Sequence, residues 1–200
     1  MLILLDNGSK RPEATKNLRR LANALCRRLG ERVHPVSLLH SAAIDPEQLD
    51  GTPADTLEPF LVRQTKDGQR DFVITPLFFG RSRALDVFIP EVVERVQAQL
   101  SDQLDAQSGR LNVRLTDVLC PLPEGESRLV DILADHVSET VAEHDLTGAH
   151  VVVVDHGSPI PAVTAVRRWL ANALAQRLEG KHGVCQAVME RRPGADYDFN

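Results

Sequence analysis

Two four-residue segments carry side chains suited to moving protons or holding a metal ion: Asp6-Asn7-Gly8-Ser9 and Asp155-His156-Gly157-Ser158. Histidine exchanges a proton near neutral pH and ligates transition metals through a neutral ring nitrogen. Asparagine, at the matching place in the other segment, only donates and accepts hydrogen bonds. Glycine permits a tight turn and serine can cap a following helix, so each segment reads as a strand-to-helix turn. In an open α/β sheet such a turn lies beyond the carboxyl ends of the strands, and ligands bind there where strand order reverses. Asp-x-Gly-Ser alone is also an ordinary folding turn, so its chemistry depends on its surroundings.

The elements around the two segments repeat as well. Aligned without gaps, positions 6–29 and 155–178 share 13 identities in 24 positions, among them Pro12/Pro161, Thr15/Thr164, Arg19/Arg168 and Asn23/Asn172. The chain therefore contains a duplicated unit. Apolar runs at 2–5, 33–39, 71–79, 111–119, 150–154 and 184–189 read as strands buried on both faces. Helical periodicity fills 12–29, 54–66, 84–100, 126–143 and 161–179. The first helix places Leu18, Leu21, Ala22, Leu25 and Leu29 on one face. The fourth carries Leu129, Ile132, Leu133 and Val137, and the fifth turns Val163, Val166, Leu170, Leu174 and Leu178 inward.

Strict alternation of strand and helix predicts a parallel α/β sheet with right-handed crossovers. Residues 40–53 read as a loop, 121–125 as a second break, and 145–149 as the joint between the halves. The division expected is a first lobe over 1–144 and a partial second lobe over 145–200. A complete second copy would run to roughly position 298, so counterparts of 52–149 are missing from these 200 residues. The expectation is a C-terminally shortened chain or one whose missing strands come from a partner; the alternative is an accessory lobe packed on the first.

Composition narrows the class. With 42% apolar residues the chain can build real cores, and a net charge of -5 speaks against a nucleic-acid partner. Cys26, Cys120 and Cys185 are widely spaced and form no C-x-x-C pair, the usage of a reducing compartment. Met1–Leu5 is too short for a signal peptide, and no apolar run approaches the ~20 residues that span a bilayer. A cytoplasmic protein without a membrane partner is the expectation. The motifs G-x-G-x-x-G, the Walker phosphate loop, G-x-S-x-G and H-E-x-x-H are all missing from the sequence.

The pattern strand–Asp-His-Gly-Ser–helix, with Pro76-Leu77-Phe78-Phe79, Ile89-Pro90-Glu91 and Met189-Glu190-Arg191-Arg192, resembles the CbiX-type class II chelatases. These are the sirohydrochlorin cobalto- and ferrochelatases. The resemblance covers nearly the whole chain. It implies a chelatase-like fold of two similar α/β lobes, and insertion of Co2+ or Fe2+ into a tetrapyrrole in cobalamin or sirohaem synthesis. No cofactor is implied; the divalent metal is substrate or ligand. Short members pair as homodimers, so the resemblance also implies a homodimer here.

The family pattern has a histidine after the first strand, a glutamate ending the second, and a histidine after the Pro-Leu-Phe strand. In the first copy these positions fall on Asn7, about Leu39 (next to His40) and Ala84; in the second, on His156 and Glu190, with the third position beyond Asn200. His156 and Glu190 are accordingly the candidates for proton transfer and metal binding, because imidazole and carboxylate suit both tasks. Glu190 beside Arg191 and Arg192 also fits a simple ion pair. For a tetrapyrrole with many carboxylates, arginine offers bidentate pairing. Arg81, Arg83 and Arg191, with Asn7, Ser9 and Ser158, are the candidate substrate contacts. Charged loop residues such as Lys10 and Arg11 are equally at home in water.

Overall fold

The computed structural model describes residues 1–100 and 110–190. Its elements alternate as expected: β1 (Leu2–Asp6), α1 (Pro12–Leu29), β2 (Val33–Ser37), α2 (Leu57–Lys66), β3 (Asp71–Pro76), α3 (Ile89–Gln99), β4 (Asn112–Leu115), α4 (Ser127–His144), β5 (Val151–Asp155), α5 (Pro161–Arg177) and β6 (Val184–Val188). Local chemistry sets the ends of α1. Pro12 opens it with φ already helical, and Glu13 and Arg27/Arg28 suit the two ends of its dipole. Gly30, at φ 71°, closes it in the left-handed cap and donates its N–H to the Cys26 carbonyl. The stretch 40–53 is not a plain loop. It holds two short 3-10 turns, Ser41–Ala43 and Pro46–Leu49, and Arg19 ties it to α1 through the carbonyls of Leu49, Thr52 and Pro53.

The chain divides into two compact units: Met1–Phe78 with Arg83–Val118, and Phe79–Ser82 with Leu119 onward. This packing boundary differs from the repeat-based division at 144/145. The reason is α4, whose Val130 and Ala134 bury against Val166, Leu170 and Leu174 of α5.

In the first unit all four strands run parallel in the order β2-β1-β3-β4. Strand order therefore reverses around β1, which places the Asn7 turn at a switch point. Alternation along β1 feeds two cores. Ile3 and Leu5 join Leu57, Phe60, Leu61, Ile89 and Val92 from α2 and α3, while Leu4 faces Leu18 and Ala22 of α1. Each such fully buried side chain contributes about 1.5–3 kcal/mol. The stripe on α1 is narrower than its periodicity suggests: Leu21 and Leu29 are exposed.

In the second unit β5 and β6 pair in parallel, Val151 opposite Val184 and Asp155 opposite Val188. α5 covers one face. On the other face Val152 and Val154 are 48% and 50% exposed, whereas their counterparts Ile3 and Leu5 are 1% and 0% exposed. In the first unit α2 and α3 cover that side; among the described residues nothing equivalent covers β5. Burial on both faces thus holds at the centre of the first sheet and fails at β4, β5 and β6. Ile132 of α4 is likewise exposed. No described helix is long and apolar enough to cross a membrane.

Candidate functional site

The ends of the paired strands bring the candidate residues of the second copy together. β6 continues past Val188, so that the Met189 N–H donates to the Asp155 carbonyl at 2.8 Å and the Glu190 N–H to the His156 carbonyl at 3.3 Å. Both His156 and Glu190 are exposed. Gly157, at φ +83°, lies against them: a Cβ there would stand 2.5 Å from the Glu190 carbonyl oxygen. Only glycine lets the turn after β5 and the end of β6 approach so closely. Two proton-active groups therefore leave neighbouring backbone positions at the carboxyl edge of the sheet.

The first copy has the same geometry and different side chains. Leu38 and Leu39 donate N–H bonds to the carbonyls of Asp6 and Asn7 at 2.8 and 3.2 Å. A Cβ on Gly8 would fall 1.7 Å from the Leu39 carbonyl oxygen. These matched contacts make Leu39 the backbone counterpart of Glu190. They also show that the repeat offset slips from 149 in the first strand and helix to 151 in the second strand, through a longer connection before β6. Asn7 is exposed, and Ala84 opens a π-helical turn, Ala84–Phe88, that runs into α3. His40 has a positive φ of 68° and lines a cleft of about 750 Å³ with Leu38, Arg63, Lys66 and Val92.

The two aspartates are held differently. Asp6 accepts from the Ser37 hydroxyl and the Gly8 N–H, and one of its oxygens is buried without a partner. Burial lifts its carboxyl above the usual range, against the downward pull of those hydrogen bonds. Asp155 instead meets the Arg167 guanidinium at 2.5 Å, and the same oxygen accepts the Gly157 N–H at 2.8 Å. Arg167 also donates from Nε to Gln186 at 3.0 Å. This network escaped the sequence reading, although an arginine inside the apolar stripe of α5, opposite Leu18 in the other copy, was the signal.

The serines work one step earlier than expected. Ser9 Oγ accepts from the Arg11 N–H and Ser158 Oγ from the Ile160 N–H, both at 3.1 Å, which shapes the turns and leaves the helix caps to Arg11 and Ile160. Arg81 and Arg83 are exposed; Arg81 falls in the second unit and Arg83 in the first. Arg191 and Arg192 lie outside the described residues. Among the described residues no three His, Cys, Asp or Glu side chains gather as a ready metal cluster.

The CbiX family model matches residues 1–140. Among solved structures the chain is similar to SirB from Bacillus subtilis with Fe3+, at TM-score 0.67 and 15% identity, over 96% of this chain and 66% of that one. It is similar too to the sirohydrochlorin chelatase SirB from Bacillus subtilis subspecies spizizenii in complex with cobalt, at TM-score 0.61 and 13% identity, over 92% of this chain and 65% of that one. At such identities the likeness is one of fold. The chain spans just under two thirds of the length of these structures. No curated protein matches it.

Proposed function

The chain belongs to the CbiX family, and from that premise we propose that it inserts Co2+ or Fe2+ into a sirohydrochlorin-type tetrapyrrole. The observation that supports the reading is the hydrogen bond from the Glu190 N–H to the His156 carbonyl, which joins the backbones that carry an imidazole and a carboxylate at the sheet edge. Metal insertion must remove two pyrrole protons and hold a divalent ion over the ring. A neutral imidazole accepts a proton or ligates the metal, and the neighbouring carboxylate does the complementary task. Arg81, in the second unit with His156 and Glu190, and Arg191, next to Glu190 in sequence, serve the substrate carboxylates, for which the guanidinium fork is suited. Ser158 adds a neutral hydrogen-bonding group at the turn after β5.

A second reading is supported by Asn7, Leu39 and Ala84, which replace every proton-active residue of the pattern in the first copy. Under it the chain holds a metal ion or tetrapyrrole without inserting one. Incubation with sirohydrochlorin and Co2+, followed by absorbance, separates the two. Insertion above the uncatalysed rate that is lost in His156→Ala supports the enzyme. Background rate with Co2+ binding that disappears in His156→Ala supports the binder.

A further inference from the structure

We propose that Arg167 is a positioning residue that locks the Asp155-His156-Gly157 turn and thereby fixes His156 against the Glu190 end of β6. The proposal rests on reading that pair as the metal-handling site. Arg167 is 4% exposed and sits in the apolar stripe of α5 between Val166 and Leu170. A guanidinium in such a place is costly unless it is paired. Its partners are both near the candidate site. Asp155, directly before His156, takes Nη1 at 2.5 Å, and Gln186 on β6 takes Nε at 3.0 Å. The Asp155 oxygen that receives Arg167 also accepts the Gly157 N–H, so one carboxylate oxygen ties the helix to the residue after His156. The fork suits the task because it reaches two acceptors on different strands, which a lysine ammonium does less well.

The duplicated unit shows what this replaces. In the first copy the counterpart of Arg167 is Leu18, a core residue, and Asp6 leans on the hydroxyl of Ser37. The register makes Val188 the counterpart of Ser37, and valine has no hydroxyl to offer. Where β6 lost its donor, α5 gained one with a charge. The fold itself does not demand the ion pair, since the first copy packs leucine in the same place. What the pair adds is a stiff, charge-assisted anchor on the turn that bears the histidine. The copy that keeps the histidine is the copy that has the anchor.

The test uses the full chain, with amide hydrogen exchange at Gly157 and titration with Co2+ alone. Arg167→Leu imports the residue of the first copy, and Arg167→Lys keeps the charge without the fork. With a native circular dichroism spectrum, Arg167→Leu is expected to speed Gly157 exchange about tenfold. It should also weaken Co2+ binding by about 10–100-fold, the range for residues that orient metal ligands, with Arg167→Lys between it and wild type. Unchanged Gly157 exchange overturns the proposal, as does faster exchange with wild-type Co2+ affinity. A wild type that takes up no Co2+ refutes the metal-site reading by itself, and the Gly157 exchange still decides on the lock. Should Arg167→Leu fail to fold, the double variant Asp155→Asn, Arg167→Leu leaves no buried unpaired charge and is read in the same way.

Discussion

Gly157→Ala strikes the point where the two candidate residues are held together. At φ +83° an L side chain pays for the left-handed conformation, about 1–2 kcal/mol. The new Cβ would stand 2.5 Å from the Glu190 carbonyl oxygen, whereas carbon–oxygen contacts settle near ~3.3 Å. The end of β6 must then retreat by roughly 0.8 Å to reach ordinary contact. The Glu190-to-His156 backbone bond is already long at 3.3 Å and would not survive the move. Its loss adds about 0.5–1.5 kcal/mol, for a total of roughly 2–4 kcal/mol once the bend in the strand is included. Gly180→Ala is the control: its φ is +73°, but nothing lies within 4 Å of its Cβ, so it carries the conformational cost alone. Urea unfolding of both variants isolates the contact as their difference, and a Co2+ titration should show binding lost only in Gly157→Ala. Equal destabilisation, with Co2+ binding intact in both, would refute the idea that this contact builds the site.

Three further outcomes follow from the packing and electrostatics. Phe60→Ala, at the centre of the first core, is expected to cost about 3–5 kcal/mol in urea unfolding. Burial makes Asp6 hold its proton in the folded chain to higher pH than an ordinary aspartate. Stability should therefore fall as pH rises from the ordinary aspartate range through the folded pKa, and Asp6→Asn should raise the urea midpoint at pH 7 while flattening that fall; an unchanged slope would contradict the assignment. Val152→Lys, on the open face of β5, should shift stability by less than about 0.5 kcal/mol. Its counterpart Ile3→Lys strands a charge in the core and should cost about 3–5 kcal/mol.

The order of elements was legible because apolar runs and helical periodicity alternate without interruption, and the duplication fixed α1 and α5 independently. The family pattern named His156 and Glu190, and the backbone bonds at Leu39 and Glu190 show that these two positions correspond in the repeat. Exposure was harder to read. Leu21, Leu29 and Ile132 fit a helical stripe, yet how wide a stripe is covered depends on neighbours that periodicity does not name. The same limit applies to Val152 and Val154, whose type matches Ile3 and Leu5 but whose cover does not. Arg167 went unread because a sequence pattern treats an arginine in an apolar stripe as noise, while the structure gives it two acceptors. The division at 144/145 followed the repeat; the packing follows α4.

The bare face of the β5–β6 pair has a consequence for native-state opening. Two strands alone form a marginal sheet, and with α5 on only one side this pair should be the first part of the described chain to open and exchange its amides. His156 and Glu190 stand at the ends of those two strands. A ligand bound there would hold shut the region with the least else to close it, adding about 2.7 kcal/mol to its opening free energy at a hundred times the dissociation constant. Uptake of the ion and consolidation of this lobe would then be one equilibrium, visible as protection of β5 amides that rises with metal concentration while β1 stays unchanged.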